Sequence, residues 1–386
     1  MNTTIEIAAK VGEYRNDGAG SNLSNERDLL ARFAHDVRQA GLIGEEVNAK
    51  VVFLAAVSAG LAKPLNVSVH GRSSAGKNCL TGTVARFIPD ERKKMLSGMS
   101  PKALMHSAED EFEHKAVFIA EYEGVAGADY AMRTFQSEHE ITWEFVDQVQ
   151  GQGLKKQNRH VRGPAAFIQA TTRATLHPEN ETRLLFVEVD ESREQTRAIN
   201  ERQAREAAGE IGTPDTGVFA EWHELIKSLQ LTKVIIPFAA QLAVHFPAER
   251  IRSRRDFPKL LGLIEASAFL HQHRREQDAL GRIVATPEDY RVGKELFEHS
   301  YYAGPERDVA ELVKSAAAIE TPIPHAYKEF SVADLIQWLG WGQTKVYEVL
   351  SRAKDIGCIG DADKRGQYRF IRGTTESPLD LPPTVV

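Results

Sequence analysis

Asn66-Val67-Ser68-Val69-His70-Gly71-Arg72-Ser73-Ser74-Ala75-Gly76-Lys77-Asn78-Cys79 carries the sharpest signal in the chain. A short apolar run runs into a loop with glycines at 71 and 76 and lysine at 77, followed by Cys79 to Phe87, a helix candidate. The spacing G-x-x-x-x-G-K gains meaning from this context of strand before and helix after. Glycines let backbone N–H groups curl round an anion at a helix N-terminus, and the lysine reaches outer phosphates. The loop therefore predicts a nucleotide site formed by Gly71, Arg72, Ser73, Ser74, Ala75, Gly76, Lys77, Asn78 and Cys79. Asn78 stands where a magnesium-ligating Ser or Thr is usual. Its amide oxygen can still join a Mg2+ shell or hold one of its waters.

From Gly71 to Asp190, apolar strand runs alternate with helical segments, which predicts an α/β layer with a mainly parallel sheet. The strand candidates are Val67 to Val69, Ala116 to Ala120, Ala165 to Ala170 and Leu184 to Val189. The second of these ends at Glu121, an acid able to polarise an attacking water if it emerges beside the phosphate loop. Ala120 occupies the position of the usual aspartate, and Glu123 is the alternative metal ligand.

The composition sets outer limits. With 386 residues, 42% hydrophobic and 26% charged, the chain is ordinary globular material for two or three domains. Its 48 Lys and Arg face 54 Asp and Glu, a net charge of -6, so any nucleic-acid contact must be a local basic patch. Two cysteines, Cys79 and Cys358, supply neither a disulfide framework nor a zinc site, and a reducing compartment follows. The start MNTTIEIAAKVGEY lacks the form of a signal peptide, and the longest apolar run, from Val51, is too short to span a bilayer. The expectation is a cytoplasmic protein without a membrane partner.

Further motifs agree in order. A helix candidate, Asp129 to Ser137, precedes the alternating run from His139 and then QGQGLKKQNRHVRG. No acid interrupts Lys155, Lys156, Arg159, Arg162 and Arg173, a patch able to meet phosphates. ENETRLLFVEVD places Arg183 before a strand, and Arg255-Asp-Phe-Pro-Lys-Leu-Leu-Gly-Leu-Ile-Glu-Ala-Ser-Ala lies in a helical region reaching to about Ala318. The polar segment from Glu191 to Glu210 reads as a helical linker with a solvated face. His271 and His273 read as lid-surface residues without metal-ligand spacing.

Taken together, residues 49–370 resemble the AAA+ ATPases, and among them the minichromosome-maintenance (MCM) type of helicase. The resemblance implies an AAA+ P-loop core, a helical lid, ATP and Mg2+ as cofactors, and a homo-oligomeric ring, with six subunits as one count. It places the γ-phosphate sensor at Thr171, the arginine finger acting on the neighbouring subunit's site at Arg183, and the second sensor at Arg255, reaching from the lid to the γ-phosphate on its own chain's loop, with Arg254 as competitor. It makes Glu121 the water-positioning acid and assigns Asn78, Glu121 and Glu123 to the metal. It also makes QGQGLKKQNRHVRG a channel hairpin, with Lys155, Lys156 and Arg159 on single-stranded or forked DNA.

The C-terminal segment has its own signals. Ser331 and Asp334 have the spacing of a capping box, Gly340 and Gly342 break the first helix, and a second helix begins near Gln343. CIGDADKRGQYRFI reads as strand, turn, strand, so the whole resembles a winged helix with Thr344, Lys345, Arg352, Lys364 and Arg365 toward DNA. Such folds also dock proteins. The expected divisions are 1–44 for an arm and helix, 45–190 for the ATPase core, 191–320 for linker and lid, 325–373 for the winged helix and 374–386 for a tail. The leading expectation is an ATP-dependent DNA motor, a replication helicase or translocase working with a replication partner protein. The alternatives are an ATP-binding regulator or assembly factor that hydrolyses weakly, and an ATPase that remodels proteins.

Overall fold

The computed structural model describes residues 23–100, 103–149, 153–173, 176, 178–211, 217–248, 252–303, 312, 329–355, 359–362, 364, 366–370 and 381–385. In chain order, α1 (Leu29–Gln39) and α2 (Glu46–Val57) precede β1 (Val67–His70), which the glycine loop joins to α3 (Lys77–Arg86). Next come β2 (Lys93–Leu96), β3 (Lys115–Ile119) and α4 (Asp129–Glu138). The hairpin of β4 (Glu140–Val149) and β5 (Gly153–Arg162) follows, then β6 (Ala165–Thr171), the single turn α5 (Pro178–Glu181) and β7 (Leu185–Glu188).

Five strands form one sheet in the order β2-β3-β6-β1-β7, with every neighbouring pair parallel. Alternate residues of the central strands serve two cores. Ala116, Phe118, Ala166 and Ile168 join the larger one, while Val117, Ile119, Ala165 and Phe167 join the smaller. Burial on both faces explains why these strands are apolar throughout, and the mainly parallel α/β class expected from them is the class observed. The edge strand β2 is an addition. Its sequence, KKML, has two lysines and an exposed Met95, because an edge strand pairs on one side only.

The helical region contains α6 (Arg193–Ala207), α7 (Gly217–Ser228), β8 (Val234–Ile235), α8 (Ala239–His245), α9 (Ser253–Leu270), β9 (Ile283–Val284) and α10 (Pro287–Ala303). The parallel pair β8–β9 interrupts what reads in sequence as continuous helix. Phe33 of α1 stacks on Phe53 of α2 at 4.0 Å, and both meet the edge of Trp222 from α7. Such ring pairs each add about 0.5–1.5 kcal/mol beyond area burial. Trp222 Nε1 donates to Asp36 Oδ2 at 2.9 Å, and Arg32 pairs with the same oxygen at 2.8 Å. One hydrophobic cluster thus runs from α1 through the sheet to α9 and α10.

Two expectations change. His271 is buried rather than on a lid surface: Leu29 N–H donates to its Nε2 at 3.2 Å and its Nδ1 meets the Ser267 carbonyl at 2.8 Å. Residues 381–385, expected to be a ragged tail, dock on α10. Leu381 and Val385 are buried, and Tyr290 donates to the Pro382 carbonyl at 2.6 Å.

The C-terminal unit holds β10 (Glu329–Ser331), α11 (Val332–Leu339), α12 (Gln343–Asp355), β11 (Ile359–Asp361) and β12 (Gln367–Phe370). Its antiparallel sheet has the order β10-β12-β11. Ser331 and Asp334 form the capping box, and Gly340 ends α11 at a φ of 66°, in the left-handed region that favours glycine. Phe330, Leu335, Val346, Val349 and Leu350 fill its own small core.

Asp289, fully buried at the start of α10, anchors the helical region. It accepts from Arg275 Nε and Nη2 at 2.8 Å each, from Ser267 Oγ at 2.7 Å, and from Thr286 N and Oγ1 at 2.9 Å. Burial alone would raise its pKa, but Arg275 and these hydrogen bonds hold it below the ordinary aspartate value. Its contribution is therefore present at neutral pH and is lost as pH falls through that depressed value. Asp289→Ala leaves Arg275 buried without its counter-charge and is expected to cost about 3–5 kcal/mol, read from urea unfolding at pH 7.

Candidate nucleotide site

Because the strands run the same way, the residues following β1, β3 and β6 leave the sheet at one edge, and His70 is level with Thr171 and Glu188. Two glycines shape the loop there. A side chain at Gly71 would collide with Val189, and Gly76 caps α3 at a φ of 97°. Between them the loop turns its backbone toward the head of α3. Lys77 is buried, and its ammonium donates to the carbonyls of Gly71 at 2.8 Å and Arg72 at 2.7 Å. Arg72 turns to Glu191, with Nε 3.3 Å from Oε2.

A cleft of about 450 Å³ opens over this loop, lined by Ser73 to Cys79, Ala120, Glu121, Glu123 and Ala170 to Thr172. Lys77, Asn78, Glu121, Glu123 and Thr171 are thus brought together from three strand ends. Cys79 is a free thiol exposed there. Thr171 Oγ1 donates to Glu123 Oε1 at 3.2 Å and accepts from Arg173 N–H at 3.0 Å. The Arg173 guanidinium pairs with the same Glu123 oxygen at 3.4 Å and lies over the Tyr122 ring at 5.4 Å. Arg173 is therefore tied to an acid of the cleft.

Asn78 and Glu121 suit Mg2+, which takes one or two protein oxygens beside phosphates and water. Among the described residues no group of three or more His, Cys, Asp or Glu forms a metal cage, so phosphate oxygens would have to complete the shell. Glu123 would first have to give up Arg173 and Thr171. His70, the last residue of β1, is pulled down to a pKa of about 4 by burial, and the charge of Lys77 acts in the same direction. It is therefore neutral at pH 7, and its Nδ1–H donates to the Arg173 carbonyl at 3.1 Å, pinning that segment to β1.

Arg183 and Arg255 stand apart from the cleft, beside each other. Arg255 Nη1 donates to Thr182 Oγ1 at 2.9 Å. Arg183 donates from Nε to Ser137 Oγ at 3.1 Å and from its backbone N–H to the Asn180 carbonyl at 3.0 Å, while its guanidinium also meets the Glu179 carbonyl. Burial first, and then the charge of Arg255, lowers its pKa. The expectation that Arg255 faces its own chain's phosphate loop is corrected, because it shares a surface with Arg183. Arg254 is exposed on the same helix.

In the hairpin, β4 and β5 pair from Glu140 opposite Arg162 to Val149 opposite Gly153. Acids on β4 offset part of the positive charge read from the β5 sequence: Lys156 meets Glu144 at 2.6 Å and His160 meets Glu140 at 3.1 Å. Arg159 is exposed opposite Trp143. In the C-terminal unit Thr344 and Lys364 are exposed and Lys345 Nζ lies 4.3 Å over the Trp341 ring. Arg365 and the side chains of Lys155 and Arg352 lie outside the described residues.

No curated protein matches the sequence. Among solved structures, a full-length MCM homolog from Methanopyrus kandleri is similar, with 12% identity over 73% of this chain and a TM-score of 0.46. The match covers 60% of that homolog's chain. A family model described as the MTBMA_p00010 P-loop domain matches residues 21–227, which contain the glycine loop, all five strands of the sheet and the hairpin. Spanning more than half of the sequence, that match shows that the chain belongs to the MTBMA_p00010 P-loop domain family.

Proposed function

We propose that the chain is an oligomeric AAA+ ATPase acting on DNA, a motor of the MCM-like helicase or translocase type. One observation carries this reading: Lys77, Asn78, Glu121 and Thr171 converge on the cleft, while Arg183 and Arg255 form a separate cationic pair. These are two halves of a site that a second copy of the chain can join. The strand order supports the reading, since β6 lies between the loop strand and the acidic strand and brings Thr171 to the cleft, where it would meet a γ-phosphate.

ATP would lay its phosphates on the loop amides, and Lys77 would exchange the Gly71 and Arg72 carbonyls for charged oxygens, which are stronger acceptors. Asn78 and Glu121 would hold Mg2+ or its waters, and the ion would supply charge neutralisation. Glu121 orients the attacking water and Thr171 registers the γ-phosphate. Arg183 and Arg255 of the neighbouring subunit stabilise the transferred charge. Lys155, Lys156 and Arg159 would track a DNA strand through a ring, for which six subunits is a natural count. The C-terminal unit, read as a winged helix, would add Thr344, Lys345, Arg352, Lys364 and Arg365, and a replication partner protein would recruit the ring in the cytoplasm. Among the described residues no helix is long and apolar enough to cross a membrane.

A second reading, a nucleotide-gated DNA-binding regulator that hydrolyses weakly, is favoured by Asn78, Ala120 and the engagement of Glu123 by Arg173. ATP turnover with and without single-stranded DNA separates the two. The motor reading expects DNA-stimulated turnover that Glu121→Gln lowers about 100-fold or more while nucleotide affinity is kept. It expects Arg183→Ala to lower turnover about 1,000-fold or more. Nucleotide binding without turnover under every DNA condition would leave the regulator. Lys156→Ala with Arg159→Ala is expected to weaken single-stranded DNA binding and flatten the log-affinity against log-salt slope by about 1.4. An unchanged slope would remove the hairpin from the DNA path.

A further inference from the structure

Asp129, Arg133 and Ser137 recur every four residues on α4 and so share one face. Each contacts the segment that carries Arg183. Asp129 Oδ2 accepts from Asn180 Nδ2 at 3.2 Å, Arg133 Nη1 pairs with Glu179 Oε2 at 3.4 Å, and Ser137 Oγ accepts from Arg183 Nε. The other end of α4 is tied to the nucleotide cleft. Tyr122, the residue after Glu121, donates its hydroxyl to Asp129, 2.6 Å from Oδ1, and accepts from Asn180 Nδ2 at 3.1 Å.

This knot is buried, with Tyr122 2% and Asn180 6% exposed. The phenol hydroxyl donates to Asp129 and accepts from Asn180, so it joins the two side chains. Asn180 turns its amide hydrogens to Tyr122 and Asp129 and leaves its Oδ1 buried without a partner among the described residues, so the phenol and carboxylate set its orientation. Its backbone carbonyl in turn accepts the Arg183 N–H. A single turn such as α5 has little stability of its own and takes its position from such ties. On the cleft side, Glu123 holds Thr171 and Arg173, and Arg173 covers the Tyr122 ring.

We propose that Tyr122, Asp129 and Asn180 are positioning residues that couple the acidic turn of one subunit's site to the Arg183 it offers to its neighbour. The knot behind one cleft thereby holds the arginine presented at the next. This rests on the reading of Arg183 as a residue acting in trans.

The test measures ATP turnover and nucleotide affinity of the full chain carrying Tyr122→Phe, Asn180→Ala, Arg183→Ala, or Asn180→Ala with Arg183→Ala, alone and mixed with Lys77→Ala subunits. Tyr122→Phe and Asn180→Ala are expected to lower kcat about tenfold or more while nucleotide affinity stays within about twofold. The double variant is expected to be no slower than Arg183→Ala, as for residues acting in one chain of contacts. Mixing Asn180→Ala with Lys77→Ala should raise turnover above either alone, because the Lys77 variant brings a correctly held arginine to a pocket that still binds ATP. Full turnover in Tyr122→Phe and Asn180→Ala, with loss in Arg183→Ala, overturns the coupling and leaves the arginine reading standing. Full turnover in Arg183→Ala, or none in the unaltered chain, removes both. Lost nucleotide affinity in Asn180→Ala, or no recovery on mixing, makes Asn180 a support of its own pocket and overturns the coupling. Should Asn180→Ala fail to fold, Tyr122→Phe, which loses one hydroxyl, carries the same expectations.

Discussion

The parallel register that holds His70 between Thr171 and Glu188 is the constraint from which the chemistry of this chain follows. A parallel sheet buried on both faces sends its loops to one edge, so groups about 50 residues apart in sequence, Lys77, Glu121 and Thr171, meet without a long connection. The same packing leaves Gly71 no space for a side chain against Val189. Shift β1 by one residue and its inward faces would exchange sides, taking the loop with them.

Within that frame the charges are unusually tied to one another. Lys77 rests on carbonyls, Glu123 on Thr171 and Arg173, and Arg183 on carbonyls and a hydroxyl, with the charge of Arg255 opposing its own. Charged oxygens accept more strongly than the carbonyls and hydroxyl that now hold Lys77 and Arg183. The hairpin shows the same economy: its lysine-rich strand lies opposite acids, which fits a chain whose net charge is -6.

Much of the fold was legible in the sequence because it depends on local pattern. The strand and glycine loop at 66–78, the apolar run ending at Glu121 and the capping box at Ser331 each declare themselves within a few residues. What escaped depends on distant partners. KKML forms a strand only because β3 lies beside it, and Arg173 is drawn to Glu123 by the sheet and not by its basic neighbours. Asn180 gains its meaning from Tyr122 and Asp129, more than 50 residues earlier. His271 carries no sign in sequence that Leu29 will cover it. The alternation of β4 was visible, but the pairing of Lys156 with Glu144 is a property of hairpin register.

The docking of residues 381–385 on α10 has an architectural consequence. The polypeptide leaves the helical region after α10, builds the C-terminal unit and then returns to the same helix, where Tyr290 and Lys294 hold the Leu381 and Pro382 carbonyls. The unit is therefore an excursion from the helical region with two points of attachment, not a pendant on one stalk. A chain shortened before Leu381 would uncover apolar surface on α10, and the behaviour of such a truncation would report on the helical region as much as on the missing residues.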